Sequence, residues 1–374
     1  MTKLSKNIIS LIEQMIDEGM ISKRKHPVYD LFVCKYTAKA AANQVWNDAT
    51  MLCRGLVVDS EYNVIEWPMR KFFNFEELDE AEAKRIFSPK HQVFEKVDGS
   101  LGILVHYNNE YFIASQGSFE SKQAIWATKL LNEKYLDKVK ELDTEHYTYL
   151  FEIVYPNNRI VVDYGNFADL VFLAKVDKNT GEDLLLNDEV EKEMAPFKVA
   201  KRYNEFENES ISTMKDLNWK NKEGFVIHSK EGRMKLKFEN YIDLHRHICG
   251  LNSKKVCELL IEDLECIKAG KPLASVEYYN KLSEELKMWF SEKASLIKLE
   301  MVKKHTLLVR ELGNVEKELP EAYTQKEFAM KVFEIVPKKD TGFVFALQKG
   351  RDITAKLYEK MLSTFDGAEK LYSE

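Results

Sequence analysis

Lys96 stands where a short run of strand formers, Gln92-Val93-Phe94-Glu95, breaks into Val97-Asp98-Gly99. A lysine at the edge of a glycine turn can reach into a pocket, and the glycine lets backbone come close to a bound phosphate. That geometry suits an amine that attacks the α-phosphate of a nucleotide. A tight Asp-Gly turn closing a hairpin, with the lysine in solvent, would leave the same letters. The choice between the two rests on the charged residues further along the chain.

Three later segments carry such charges. Tyr147 to Tyr155 is rich in β-formers and holds one carboxylate, Glu152. A lone acid buried in a strand is costly without a partner, so Glu152 is expected to face a polar pocket. Glu223-Gly224 opens a second apolar run, Phe225-Val226-Ile227-His228. Met234-Lys235-Leu236-Lys237-Phe238 alternates strictly, which puts Lys235 and Lys237 on one face of a strand and the apolar residues on the other. Two ammonium groups on one face repel unless an anion lies between them. A solvated edge strand is the plainer reading of that pattern.

The order Lys, Glu, Glu, Lys-x-Lys resembles the covalent nucleotidyltransferases, the ligases and mRNA capping enzymes. It is most similar to the phage RNA ligase 1 family, whose member repairs cut tRNA. The likeness covers about residues 50 to 240 and rests on six pieces in family order. They are Cys53-Arg54-Gly55-Leu56-Val57-Val58, Arg70-Lys71-Phe72-Phe73-Asn74, and Glu95 to Leu101. The rest are Phe151-Glu152 through Pro156-Asn157-Asn158-Arg159-Ile160-Val161, then Glu223-Gly224-Phe225-Val226, then Lys235-Leu236-Lys237. The Lys-Phe-Phe-Asn and Pro-x-Asn-Arg-Ile-Val pieces point to RNA ligases rather than DNA ligases or capping enzymes. One position departs: Gln116, in Ser115-Gln116-Gly117-Ser118, stands where a relative has a basic residue. A glutamine brings hydrogen bonds but no charge.

The resemblance implies an α+β fold. An N-terminal nucleotidyltransferase (adenylation) domain of antiparallel sheets and helices, residues 1–240, would precede an all-α C-terminal domain, residues 241–374, that engages tRNA. It implies ATP as AMP donor, with Mg²⁺ or Mn²⁺. Lys96 would form lysine-AMP, and Lys235 and Lys237 would complete the catalytic set. Arg54, Lys71, Lys235 and Lys237 would neutralise phosphates, with Asp98, Gly99 and Gln116 also at the nucleotide. Val226 and Phe172 would sandwich the adenine, although a core position suits Phe172 equally well. Glu152 and Glu223 would hold the metal, and Glu152 could equally bond the ribose. AMP would pass to an RNA 5′-phosphate, and a 3′-hydroxyl would then displace it. Cleaved tRNA is one candidate substrate, and a monomer is expected.

The wider sequence frames this. Its 374 residues are enough for two domains. A formal charge of −6 confines any RNA site to a local basic patch on an acidic body. No apolar run is long enough for a membrane span. Leu4, Ile8, Leu11, Ile12, Met15 and Ile16 trace one face of an N-terminal amphipathic helix rather than a signal peptide. Five cysteines in no paired pattern suggest a reducing cytoplasm, that of the host if the gene is a phage's. The His245-Arg246-His247-Ile248-Cys249 stretch, with Cys257 and Cys266, matches no common zinc spacing and reads as ordinary helix. Lys23-Arg24-Lys25 reads as a solvated turn.

Strand patterns dominate up to about residue 240, interrupted by helical stretches such as Ser121 to Leu142. Helical spacing takes over after it, in Val256, Leu259, Leu260 and Leu264 and in Leu282, Leu286, Trp289, Leu296 and Leu299. Turn signals at Gly270-Lys271-Pro272, Gly313-Asn314, Pro320 and Lys349-Gly350 divide that part into several helices. A DNA ligase or capping enzyme usually has a small β-barrel there. Those relatives, and a non-catalytic RNA-binding protein that keeps the fold, are the alternative readings.

Overall fold

The computed structural model describes residues 2–87, 90–249, 251–280, 282 and 284–365. The chain divides into two compact units, Met1–Ile242 and Asp243–Glu374. The first is mixed α and β, and the described elements of the second are all helical.

In chain order the first unit has strands β1 Ile21–Lys25, β2 Phe32–Tyr36, β3 Arg54–Val58, β4 Val64–Glu66, β5 Phe73–Asn74, β6 Gln92–Glu95 and β7 Ser100–Tyr107. These are followed by β8 Glu110–Ser115, β9 Tyr147–Val154, β10 Asp169–Asp177, β11 Lys198–Val199, β12 Gly224–Ser229 and β13 Gly232–Lys237. They make three sheets, ordered β1-β2-β3-β4, β11-β10-β9-β7-β8 and β5-β13-β12-β6. Pairing is antiparallel except between β10 and β11 and between β13 and β5.

The central sheet is buried on both faces, and period-two alternation decides what each face meets. Leu101, Ile103 and Val105 of β7 and Leu150 of β9 pack with Val33, Val57 and Ile65 of the first sheet. Leu104, Tyr149, Phe151 and Ile153 pack instead with Ala127, Leu131, Tyr135 and Val139. Those four lie on the helical stretch expected between Ser121 and Leu142, which runs Lys122–Leu130, a π-helical turn Leu131–Tyr135, then Leu136–Glu141. The N-terminal helix Lys6–Asp17 buries Ile12 and Met15, with Ser5 as its cap.

β6 and β7 lie in different sheets. The Asp98-Gly99 turn between them is therefore a crossover from one sheet to another and not a hairpin. Lys23-Arg24-Lys25 is likewise no turn: it lies on β1, with the Lys23 ammonium 3.9 Å from the Tyr62 ring centroid.

In the second unit Gly270, in the left-handed conformation at φ 64°, ends the helix Ser253–Ala269. Gly313-Asn314 does not break anything: Glu284–Lys317 is one helix through both residues. A single glycine in a long helix costs only about 1 kcal/mol, which neighbouring turns offset. That helix buries Ala294, Ile297, Met301 and Leu308, while Leu296 and Leu299 are exposed. The side chains of Leu286 and Trp289, and of Arg246, His247 and Cys249, lie outside the described residues. Cys257 is buried and donates to the Tyr358 carbonyl, and no metal-binding cluster occurs among the described residues. No helix among them is long and apolar enough to cross a membrane.

Candidate active site

Lys96 continues the pairing of β6 with β12, its backbone N–H donating to the Gly224 carbonyl at 2.9 Å. Its Nζ meets Glu223 Oε2 at 2.6 Å, and Lys237 Nζ meets Glu223 Oε1 at 2.8 Å. One buried carboxylate thus bridges two lysines that are 141 residues apart in the chain. Gly224 makes this possible. At φ 147°, a Cβ there would stand 2.0 Å from the Leu236 carbonyl oxygen, so only glycine lets β12 and β13 close beside Glu223.

Gly99 serves a similar end. A Cβ on it would lie 2.6 Å from the Ile153 carbonyl oxygen and 3.0 Å from Glu152 Cγ. The close approach that this turn needs is to β9, and it brings Glu152 up to the nucleophile loop. Asp98, expected at the nucleotide, is turned away from it. Its Oδ2 accepts from the backbone of Val161 and Val162, both at 2.8 Å, and its Oδ1 accepts from the Tyr241 hydroxyl at 2.8 Å. A carboxylate with three donors is occupied as a brace for the loop.

A second group of charges lies along β3 and β13. The Phe72 ring stands between Arg54 and Lys235, with each cation 5.1 Å from its centroid. Arg54 Nη1 is buried and finds no acceptor among the described residues. Lys71, expected on the phosphates, has its Nζ over the rings of Phe73 and Trp46 and does not line the cleft. Arg233 is held by Asp183, its Nη2 to Oδ1 at 2.8 Å. Of these, Arg54, Phe72 and Arg233 line an open cleft together with Met69, Phe94, Glu95, Lys96, Val97, Leu101, Glu152, Leu173, Ala200 and Val226, whereas Lys235 and Lys237, expected on the phosphates, are not in its lining.

Burial and charge set the protonation of the site. Burial works against the charged forms of Lys96 and Glu223. Mutual attraction outweighs it, so Lys96 is raised and Glu223, held also by Lys237, is lowered. Among the described residues no carboxylate forms an ion pair with Lys235. Burial, with Lys96, Lys71, Arg54 and Lys237 around it, pushes it down to about 6. Burial pushes Glu152 up to about 8; Lys96 opposes this and Glu223 and Asp98 add to it. The Glu152 carboxyl is thus biased to its neutral form at pH 7, as is the Lys235 amine, close to the ion-paired Lys96.

Two oxygen-bearing side chains, Glu152 and Glu223, suit a hard divalent cation. They fit it unequally. Glu223 already has a lysine on each oxygen, whereas no hydrogen bond to the Glu152 carboxyl occurs among the described residues. Glu152 is the natural first ligand, and phosphate oxygens and water would have to supply the rest.

Of the remaining expected residues, Val226 lines the cleft. Phe172 does not: it is fully buried, opposite Phe151 in the strand register, on the face of the central sheet turned to the helices. A register shift between Phe172 and Ala174 turns Leu173 into the cleft instead. Gln116 lies beside Gly55, outside the cleft lining, with its Nε2 buried and unpaired among the described residues. Sequence reasoning missed Arg233, Tyr241 and the role of Phe72. Alternation could have found Arg233, two residues before Lys235 on the same face of β13. Nothing local marks Tyr241 or Phe72.

The profile of the RNA ligase family matches residues 52–242. An RNA ligase of Rhodothermus phage RM378 is 25% identical over 192 residues, 41% of this chain and 42% of the relative. A protein of Autographa californica nuclear polyhedrosis virus named "Putative bifunctional polynucleotide kinase/RNA ligase" is 24% identical over 280 residues, 67% of this chain and 38% of the relative. The chain spans about two fifths of the length of these curated relatives. Among solved structures, an archaeal ATP-dependent RNA ligase aligns over 92% of this chain and 96% of its own, with 12% identity and a TM-score of 0.45.

Proposed function

This chain belongs to the RNA ligase family, and on that premise we propose that it is an ATP-dependent enzyme that joins RNA 5′-phosphate and 3′-hydroxyl ends through lysine-AMP. The observation that carries the reading is the Lys96–Glu223–Lys237 clamp at the wall of a cation-lined cleft. Lys96 Nζ attacks the α-phosphorus of ATP, the bond to the bridging oxygen breaks, and pyrophosphate leaves. The attacking neutral amine gives up one proton and keeps the other, and AMP stays on Lys96 as a phosphoramidate. An RNA 5′-phosphate oxygen then displaces Lys96 from the AMP, and a 3′-hydroxyl finally displaces AMP from the activated end.

The clamp keeps Lys96 protonated until a nucleotide competes for its partners. Lys96 is held as an ammonium by Glu223 and cannot attack in that state. An incoming triphosphate brings its own negative charge to Lys237 and Lys235, which frees Glu223 to take a proton or a cation and lets Lys96 lose its proton. Arg54, whose Nη1 lacks an acceptor, donates to the phosphate oxygens. Val226, Leu173 and Phe94 give the base an apolar slot. A Mg²⁺ or Mn²⁺ ion at Glu152 would neutralise charge that develops on the leaving pyrophosphate.

The residues named here all lie in the first unit, and the task proposed for the helical unit is selection of structured RNA such as a cleaved tRNA. The described cysteines are unpaired, which suits a reducing cytosol. The test is incubation with [α-³²P]ATP and Mg²⁺, then addition of 5′-phosphorylated RNA. Acid-labile, base-stable label on the protein that moves to RNA is the expected result. Label from GTP but not ATP, or transfer to DNA ends alone, would assign the cleft to a different nucleotidyltransferase. Cross-links from a cleaved stem-loop are expected within residues 243–365 as well as around the cleft.

A further inference from the structure

The sheet β5-β13-β12-β6 carries the nucleophile and its neighbours in three rows. Lys96 lies beside Gly224 and Lys237, Phe94 beside Val226 and Lys235, and Gln92 beside His228 and Arg233. Alternation puts the three rows on one face. Two lanes therefore lead away from the Lys96 row. Phe94 and Val226, on β6 and β12, make an apolar lane, and Lys235 and Arg233, on β13, make a cationic one. Arg233 ends the second lane, four residues and about 13 Å along the strand from Lys237. Of the three β13 cations, Arg233 is the one in the cleft lining.

The side chain of Arg233 is fixed. Asp183 takes its Nε on one carboxylate oxygen and its Nη2 on the other, the second at 2.8 Å. Such a bidentate pair sets the plane of a guanidinium. Asp183 is anchored in turn: it bridges to Val176 of β10, and the next residue, Leu184, donates its N–H to the Lys175 carbonyl at 3.0 Å. The carboxylate is thus held against the central sheet and the guanidinium against the other wall of the cleft. His228, beside them, is lowered to about 3 by burial and by Arg233, and so adds no charge.

One edge of the guanidinium is left over. No hydrogen bond from Arg233 Nη1 occurs among the described residues, and Arg54 Nη1 likewise finds no acceptor there. Arg54, Arg233 and Asp183 lie within electrostatic reach of one another. Two guanidinium groups with open donors and one carboxylate bonded to them leave this end of the cleft short of acceptors. A phosphate has oxygens for both donors, whereas an apolar group would leave both unmet. In-line displacement at the α-phosphorus puts the leaving pyrophosphate opposite the attacking amine. Lys96 follows the edge strand β6, and Arg233 stands two strands across and two rows on.

We propose that Arg233, held in place by Asp183, binds the terminal phosphate of ATP and so selects a triphosphate donor over a diphosphate. This rests on the RNA-ligase reading and adds a donor-selecting contact to it. Arg233 touches the part of the substrate that leaves as pyrophosphate, and Asp183 acts through Arg233 as a positioning residue.

Calorimetry measures the binding of a non-hydrolysable ATP analogue and of the matching ADP analogue. Wild type should lose at least about tenfold in affinity when the terminal phosphate is absent. Arg233→Gln should bind the two analogues within about threefold of each other, and the ADP analogue as wild type does. The double variant Asp183→Asn/Arg233→Gln, which leaves no buried charge without its partner, should behave in the same way. If Arg233→Gln does not fold, the double variant decides. Transfer of AMP from isolated lysine-AMP to a 5′-phosphorylated RNA involves no pyrophosphate. Both variants should match wild type in that step, which a merely structural role would not spare. A folded variant that keeps the wild-type preference, or that loses the transfer step along with it, would overturn the proposal. So would a wild type indifferent to the terminal phosphate. A wild type that forms no lysine-AMP from ATP would instead overturn the proposed function.

Discussion

The two cation groups of the cleft differ in how their charge is held. At the Lys96 end, a single carboxylate takes both lysines at 2.6 and 2.8 Å, so charge is neutralised inside the protein. At the Arg54 end, an aromatic ring separates Arg54 from Lys235, and among the described residues no carboxylate forms an ion pair with either. In the first group both lysines are neutralised by Glu223, so on the proposed reading a nucleotide has to displace that carboxylate. In the second, burial together with the surrounding cations pushes Lys235 down to about 6, while Glu152 and Asp183 act on Arg54 only from a distance. A protein can thus store a nucleophile safely at one end of a site and an anion trap at the other.

The sharpest break of this comparison is Lys96→Ala or Lys96→Arg. Both should abolish lysine-AMP, since arginine keeps the charge and loses the nucleophile. Peptide mapping is the check. AMP found on Lys235, the lysine that is neutral at pH 7, would exchange the roles of the two ends.

Next come Lys235→Ala and Lys237→Ala, each of which should slow adenylylation by about a hundredfold or more. Single-turnover labelling measures both. Lys237→Ala also leaves Glu223 with Lys96 alone, so the nucleophile should be more strongly protonated and its rate should rise more steeply with pH than in wild type.

A smaller effect separates the slot from the core behind it. Phe172→Ala should cost about 3–5 kcal/mol of stability in a denaturant titration while the KM for ATP of the folded fraction holds. Leu173→Ala should do the reverse, raising KM several-fold at little cost in stability. A Phe172 variant with wild-type stability and a raised KM would restore Phe172 to the adenine.

The smallest effect is a count of protons. Glu152, at about 8, must release a proton to meet a metal, and Lys235, at about 6, must take one up to meet a phosphate. At pH 7 the two exchanges cancel, so binding of Mg²⁺ and a non-hydrolysable ATP analogue should move close to zero net protons. Glu152→Gln should uncover an uptake and Lys235→Met a release. Calorimetry in buffers of different ionisation enthalpy reads the difference.

Much of the site was legible because strand alternation is a local rule. Lys235 and Lys237 share a face whatever surrounds them, and the same rule would have added Arg233. Glu152 read correctly as a pocket-facing acid because an unpartnered carboxylate has few other places to go. For Phe172 the sequence left adenine and core equally open, and alternation could not choose: the register shift after it puts Phe172 in the core and Leu173 at the cleft. Asp98 failed for a different reason. Its donors, Val161, Val162 and Tyr241, are more than sixty residues away in the chain, and no local pattern shows that its oxygens are already taken.

The sequence by itself determined that Lys235 and Lys237 share one face of β13, that a glycine follows close after Lys96 and after Glu223, and that strands give way to helices near residue 240. These follow from side-chain periodicity and from the backbone freedom of glycine, which act over a few residues. Only the tertiary structure decided that the Asp98-Gly99 turn crosses between sheets, that Glu223 bridges Lys96 and Lys237, and that Phe72 stands between Arg54 and Lys235. Each of these joins segments far apart in the chain. Their charges shift one another only once burial has removed the water that would otherwise screen them.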